Sequence, residues 1–226
     1  MYYDYSSQYA DWTVGRPYGD YTSLLAGDDT LIGSYNGYST EASLYEGNDY
    51  IEIHSGIYNN IWGNHGDDTL ALYKSGSSVT CGRFRGGKGN DTITIEDGVY
   101  VGTSGDFING NNGADTIKNW GKAVGKVRGG KDDDWIINYK GSMDAYGDKG
   151  RDTFTPYYGF ADNYSTGMTV KDFQVGYDVL DTSALGSEVT QELGTFGGVQ
   201  GLLIDAYGAS YGWQLCAFLE GVDTYI

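Results

Sequence analysis

The sequence predicts an all-β protein: a parallel β-solenoid with about seven coils and a C-terminal antiparallel β cap. Three observations predict it. A segment rich in Gly and Asp recurs seven times along the chain. Glycine supplies 37 of 226 residues and proline only 2, and a Gly share far above the usual ~7 % without a three-residue period points away from collagen and towards repeated sharp turns. The acids are mostly short: of 31, only 7 are Glu and 24 are Asp. Asp favours turns and binds hard cations.

The repeat is clearest at 86–94, GGKGNDTIT. Related segments are LLAGDDTLI (24–32), LYEGNDYIE (44–52), GNHGDDTLA (63–71), GNNGADTIK (110–118), GGKDDDWII (129–137) and GDKGRDTFT (147–155). Aligned on the sixth position they give Asp29, Asp49, Asp68, Asp91, Asp115, Asp134 and Asp152, separated by 20, 19, 23, 24, 19 and 18 residues. Two positions after each Asp stands an apolar residue: Leu31, Ile51, Leu70, Ile93, Ile117, Ile136 and Phe154. Glycines before the Asp allow a sharp turn with positive φ. The residues after it read as a short strand with one side chain pointing inward. A second short strand is expected before each turn, around Ile61–Trp62, Phe84, Phe107–Ile108, Val127 and Met143–Ala145. Two short strands and two turns in about 20 residues describe one coil of a solenoid whose coils stack ~4.8 Å apart.

Stacking has an electrostatic consequence. Each turn Asp lies about one strand spacing from the next, and seven carboxylates in file repel one another. Lys and Arg total 14 and lie mostly outside the file. A hard divalent cation between turns removes the repulsion. Calcium, with 6–8 oxygen ligands in loose geometry, suits Asp and main-chain carbonyls better than magnesium does. Asp and Gly serving only as turn formers in a metal-free solenoid is the plainer alternative.

These residues resemble the nonapeptide G-G-x-G-x-D-x-U-x of RTX proteins, the hemolysin-type calcium-binding repeat. The resemblance covers about residues 24–155 and implies that the solenoid is a right-handed parallel β-roll holding several calcium ions, about four to six. It implies Asp29, Asp49, Asp68, Asp91, Asp115, Asp134 and Asp152 as carboxylate ligands. Main-chain carbonyls would complete each site, from Gly86, Gly87, Lys88, Gly89 and Asn90 in the clearest copy. Later copies would use Gly110, Asn112, Gly113, Gly129, Lys131, Gly147, Lys149 and Gly150. The sequence departs from the pattern in carrying the motif once per coil, so one calcium row is expected, with irregular calcium-free loops on the opposite edge and Asp106 and Asp144 as remnants of a second row. Leu24–Leu25 and Leu44–Tyr45 replace the leading glycines of the first two copies, and Asp132 replaces a turn Gly in the sixth. Asp tolerates the left-handed region better than most residues.

The segment 166–186, TGMTVKDFQVGYDVLDTSALG, is similar to the element that ends many RTX domains, with Val170, Asp172, Phe173, Gly176, Asp178, Leu180, Asp181 and Ser183 at the matching positions. The final 26 residues alternate apolar and polar in two runs and read as an antiparallel pair turning at Tyr207–Tyr211. Capping the open end of the solenoid is the expected role of 156–226. The ending Asp223–Ile226 resembles that of proteins exported by type I secretion, and the first residues lack a secretory signal pattern. A Tyr-rich cap or arm is expected over 1–23, lying on the roll or on a neighbouring subunit.

Other constellations are weaker. Cys81 and Cys216 are too few for a disulfide framework and are either two buried thiols or one bridge. His54 and His65 form no H-E-x-x-H, and Asp132–Asp134 could suggest paired carboxylates, but two of the three fit the variable positions of a calcium turn better. Trp62, Trp120, Trp135 and Trp213 are core or cap residues, or a sugar-stacking surface. A net charge of −17 and a pI near 4.2 oppose nucleic-acid binding, and no apolar run is long enough for a transmembrane helix.

The expected function is therefore that of a secreted, non-enzymatic calcium-binding RTX protein whose β-roll folds on calcium outside the cell. Its role would be structural, at a surface, or self-assembling. Two alternatives stay open. One is a subunit of a surface layer, extracellular filament or virus particle. The other is a carbohydrate-binding or polysaccharide-modifying solenoid, favoured by the basic group Lys118, Lys122, Lys126 and Arg128.

Overall fold

The computed structural model describes residues 2–5, 12–14, 21–24, 26–34, 40–73, 79–101, 107–121, 123–157, 167–208 and 212–226. The strands are β1 (Tyr2–Tyr5), β2 (Trp12–Val14), β3 (Tyr21–Leu24), β4 (Thr30–Ser34), β5 (Thr40–Glu46), β6 (Tyr50–His65) and β7 (Thr69–Leu72). There follow β8 (Val79–Lys88), β9 (Thr92–Ile95), β10 (Tyr100–Val101), β11 (Phe107–Asn112), β12 (Thr116–Asn119), β13 (Ala123–Lys131) and β14 (Trp135–Asn138). The last are β15 (Ser142–Lys149), β16 (Thr153–Pro156), β17 (Met168–Val170), β18 (Val179–Leu180), β19 (Val189–Phe196), β20 (Val199–Gly208) and β21 (Gly212–Glu220).

Two parallel ladders carry the solenoid. The first runs β1–β3–β5–β6–β8–β11–β13–β15–β17–β21. The second runs β2–β4–β6–β7–β9–β12–β14–β16–β18. The 16-residue β6 belongs to both, its first half in the second ladder and its second half in the first. Each motif turn passes the chain from the first ladder to the second, because glycines there permit the reversal that the flanking β-branched residues resist.

The core lies between the ladders. In the second, the eighth residue of every motif points inward: Ile51, Leu70, Ile93, Ile117, Ile136 and Phe154 are fully buried and Leu31 nearly so. Facing them, Ala42, Ile61, Phe84, Ile108, Val127, Ala145, Val170 and Leu219 are stacked in register. Each fully buried Ile or Leu contributes about 1.5–3 kcal/mol. The predicted strands before the turns lie in β6, β8, β11, β13 and β15. The coils are less uniform than the repeat count predicts: about five regular turns stand where seven were expected. Five turns carry a glycine at the first motif position packed against the turn Asp, whereas the two earliest carry Leu24 and Leu44 there.

At the C-terminal end β21 pairs in parallel with β17, then β20 and β19 follow antiparallel. Parallel coils thus pass into an antiparallel meander. Cys81 on β8 and Cys216 on β21 are separated by five strand steps, ~24 Å, so no disulfide joins them. Cys216 is buried. Asp144 is not part of a second turn row. It lies on β15, 3.8 Å from Lys171 Nζ, while Asp106 lies outside the described residues. The basic group divides too: Lys118 is on β12 in the second ladder, Lys126 and Arg128 are on β13 in the first, and Lys122 is outside the described residues. Among the described residues, no helix is long and apolar enough to cross a membrane.

Candidate metal edge

The turn edge is built by four motif positions. The sixth is the buried Asp. The Asp29 amide donates to Asp49 Oδ1 (2.7 Å), Asp49 to Asp68 (2.9 Å), Asp68 to Asp91 (2.8 Å) and Asp91 to Asp115 (2.7 Å). The file continues from Asp115 to Asp134 (2.8 Å) and from Asp134 to Asp152 (3.0 Å). All seven residues of the aligned set therefore come together in one buried file. Each is at most 2 % exposed.

One oxygen of each of the six accepting carboxylates, Asp49 to Asp152, serves that ladder. The other does not. Oδ2 of Asp49, Asp68, Asp91, Asp115, Asp134 and Asp152 is buried without a hydrogen-bond partner. Leaving a buried carboxylate oxygen unsatisfied is costly. Burial, opposed in part by the amide hydrogen bond and reinforced by neighbouring acids, pushes Asp49, Asp68, Asp91 and Asp115 up to about 7. It pushes Asp134 to about 9 and Asp152 to about 6.

The first position makes room for that oxygen. A Cβ on Gly86 would overlap Asp91 Oδ2, and Gly63, Gly110, Gly129 and Gly147 stand in the same relation to their own Asp. The fourth position takes positive φ in every copy and is a glycine in six of the seven. Gly89 has φ 120°, and the Gly66 carbonyl of the preceding turn sits where its Cβ would be. Asp132 takes the same place in the sixth copy with φ 75°, as its tolerance of that region predicts. Carbonyls line the edge as well: those of Lys88, Asn112 and Lys131 accept the amides of Gly66, Gly89 and Gly113 on the preceding turns.

The fifth position forms a second, exposed ladder. The Asn48 amide donates to Asp28 Oδ1, Asp67 to Asn48 Oδ1, Asn90 to Asp67 Oδ1 and Ala114 to Asn90 Oδ1. The Arg151 amide donates to Asp133 Oδ1. Five of the seven residues at this offset are Asp or Asn, a visible signal. The C-terminal element also joins the edge. The Asp152 amide donates to Asp178 Oδ1 (3.0 Å), an eighth rung, and Asp172 accepts from Gly147 and Asp148. Phe173 packs beside Phe154 with ring centres 6.0 Å apart.

Among the described residues, no three His, Cys, Asp or Glu side chains converge on one point. An ion here would draw on Asp carboxylates and main-chain carbonyls, an all-oxygen set suited to calcium. The orphaned Oδ2 file, the bare first position and the stacked carbonyls fit such an ion. The remaining candidates scatter. His54 stacks on Tyr73 and contacts Glu52, and His65 is exposed at the end of β6. Asp134 points into the file while Asp132 is exposed, so they form no carboxylate pair. Trp120, Trp135 and Trp213 are 40 %, 44 % and 53 % exposed, and with Trp62 on β6 they are spread over different faces.

Comparison with known proteins agrees with this architecture. Neither curated proteins nor solved structures gave a match. The family model described as Peptidase M10 serralysin C terminal matches residues 26–208, which takes in all seven motif turns and reaches into the antiparallel meander. That family is the non-catalytic C-terminal part of serralysin, an RTX-like β-roll. With the match spanning most of the chain, the protein belongs to the serralysin C-terminal family.

Proposed function

We propose that this chain is a calcium-folded, non-enzymatic β-roll that acts outside the cell in a structural or surface role. One observation carries the reading: six buried carboxylate oxygens in a single file have no hydrogen-bond partner. Calcium bound between successive turns would neutralise them. Asp49, Asp68, Asp91, Asp115, Asp134 and Asp152 would supply the charge, and the turn carbonyls, including those of Gly86 to Asn90, the remaining oxygens. Asp29 opens the file and Asp178 closes it.

The ion would couple to folding. At low calcium the net charge of −17 favours an open chain. At the millimolar calcium of extracellular fluids, ions that bind only the rolled form convert their binding free energy into folding free energy. Export in the open form and folding outside follow from that difference. The same coupling gives a stiff, repetitive body suited to a surface layer or filament.

The test is a calcium titration followed by far-UV circular dichroism after exhaustive chelation, with magnesium as control. A coil-to-β transition driven by calcium at concentrations where magnesium is silent is expected. An unchanged β spectrum after chelation would overturn the reading.

A further inference from the structure

The outer face of the first ladder holds an open groove of about 740 Å³. Its floor, walls and charge come from three registers. The floor is the register Asn64–Gly87–Asn111–Gly130–Asp148, in which Gly87 and Gly130 leave no side chain. One wall is the register His65–Lys88–Asn112–Lys131–Lys149, on the third motif position. The other wall is the register Trp62–Arg85–Asn109–Arg128–Tyr146. The groove thus crosses five adjacent strands along the solenoid axis, ~19 Å at the usual strand spacing.

The charge is opposite to that of the protein. Lys88, Lys131 and Lys149 are exposed, and among the described residues no carboxylate pairs with them. The two acids at the groove are already engaged: Asp148 pairs with Arg128, and Asp172 accepts two backbone amides. A cationic trough on a chain of net charge −17 is a local departure that focuses a field along a line.

We propose that this groove binds a linear polysaccharide of carboxylated sugars, lying along the solenoid axis. Charge spacing favours that occupant. The lysines repeat every one or two strands, ~5–10 Å, which matches one carboxylate per sugar ring. Duplex DNA presents a charge every ~1.7 Å and would meet the net acidic field of the whole chain. The polar and flat groups suit sugars. Asn109, Asn111 and Asn112 bring amides that both donate and accept to ring hydroxyls, and half-buried Trp62 offers an aromatic face. The groove is separate from the Asp file: its lysines project outward from the turns whose Asp points inward, so it reads a ligand without using the carboxylates.

The test holds calcium fixed and uses the full chain. Binding of a galacturonate oligomer long enough to cross five strands is measured by calorimetry, against a neutral glucan oligomer of equal length and inorganic polyphosphate. Lys88→Gln, Lys131→Gln and Lys149→Gln are combined in one variant, and circular dichroism confirms that it is folded. Expected are salt-sensitive binding of the uronate alone, a loss of about tenfold or more in the triple variant, and a smaller loss in Trp62→Ala. Equal affinity for the neutral glucan, tighter binding of polyphosphate, no uronate binding by the wild type, or an unaffected triple variant would each overturn the proposal. So would a wild-type self-association that the triple variant abolishes, since the occupant would then be a second copy. Because every arm is read on protein shown to be folded, a failure here is distinct from a failure of calcium-coupled folding.

Discussion

The two edges of the solenoid make the same reversal by different physics. The motif edge stacks like charges: seven Asp in file, each at most 2 % exposed, with six Oδ2 atoms unsatisfied. Among the described residues of the opposite edge, the two successive returns after β12 and β14 are closed mainly by neutral groups. Asn119 Nδ2 donates to Asn138 Oδ1 (2.7 Å) and to the Lys140 carbonyl (2.8 Å), Asn138 Nδ2 donates to the Gly141 carbonyl (3.0 Å), and the Gly121 amide donates to Asn119 Oδ1 (2.8 Å). Beside them the rings of Trp120 and Tyr139 stack with centres 3.7 Å apart, and Tyr157 lies 4.4 Å beyond. One edge leaves six buried carboxylate oxygens without a partner, whereas these returns of the other pair their asparagine side chains with one another and with the backbone. The comparison teaches that one solenoid can turn its chain with unlike polar chemistry on its two edges.

The largest expected effect follows from removing two central rungs. Asp91→Ala with Asp115→Ala deletes two acceptors for neighbouring amides and two of the proposed ligands. The calcium midpoint of folding should rise by at least about tenfold, given net contributions of ~1.5–3 kcal/mol for hydrogen bonds to charged groups. Without calcium the same variant should be no less folded than the wild type, because it also removes two buried, repelling carboxyls. A calcium titration of both proteins checks this, and a double variant with an unshifted midpoint would show that the two edges do not differ in kind.

Acid should sharpen the contrast without any substitution. In the calcium-free roll, burial raises Asp49, Asp68, Asp91 and Asp115 from 3.8 to about 7. The folded state then holds protons that the unfolded chain has released. That stability is fully present below pH ~3.8 and is lost as pH rises through about 7. Calcium-free protein should therefore show more β structure at pH 5 than at pH 8, and calcium should restore it at pH 8. A chelated sample whose dichroism is flat or rises between these values would contradict the assignment of the file as an uncompensated row.

The opposite edge should answer to a different variable. Asn138→Ala removes the acceptor for Asn119 and the donor to Gly141 in a buried setting, which costs about 1–3 kcal/mol. The loss should appear as a lower thermal midpoint at saturating calcium, with the calcium dependence unchanged. A shift in calcium affinity instead would mean that the edges are coupled through the core.

Why one edge was legible and the other was not follows from spacing. Along the motif edge, Gly, Asp and the buried apolar residue recur at constant offsets inside each copy, so Asp91 and Ile93 could be placed from neighbours alone. The return loops vary in length, as the steps of 18 to 24 residues between successive Asp show. Asn119 and Asn138 face each other across β12 and β14, each four residues after its turn Asp, but the other copies carry Gly33, Ile53, Leu72, Ile95 and Pro156 at that offset, so no recurring residue type marks it. The same limit explains Lys118 and Lys126, close in sequence yet on different ladders. The groove lysines show the reverse case: Lys88, Lys131 and Lys149 are far apart in the chain and meet only because each holds the third motif position. The role of Asp178 was hidden because its rung arises outside the nonapeptide, in the segment that ends the roll.

The smallest effect tests whether the exposed fifth-position ladder adds anything to the buried one. Ala114 interrupts it: the Ala114 amide donates to Asn90 Oδ1, but Ala114 offers no oxygen to the next turn, where Asp133 stands. Ala114→Asn would place an acceptor at the offset where Asn48 and Asn90 already serve Asp67 and Ala114. A net gain of ~0.5 kcal/mol is expected for one exposed hydrogen bond, or about 1–2 °C in the thermal midpoint of a chain this size. Because Asn is neutral, the gain should be the same with calcium at saturation and at the folding midpoint. An equal gain in both conditions would make the fifth position a plain hydrogen-bond rail. A gain confined to saturating calcium would mean that the outer ladder orders only after the inner file is neutralised, and the motif edge would then act as a single cooperative unit.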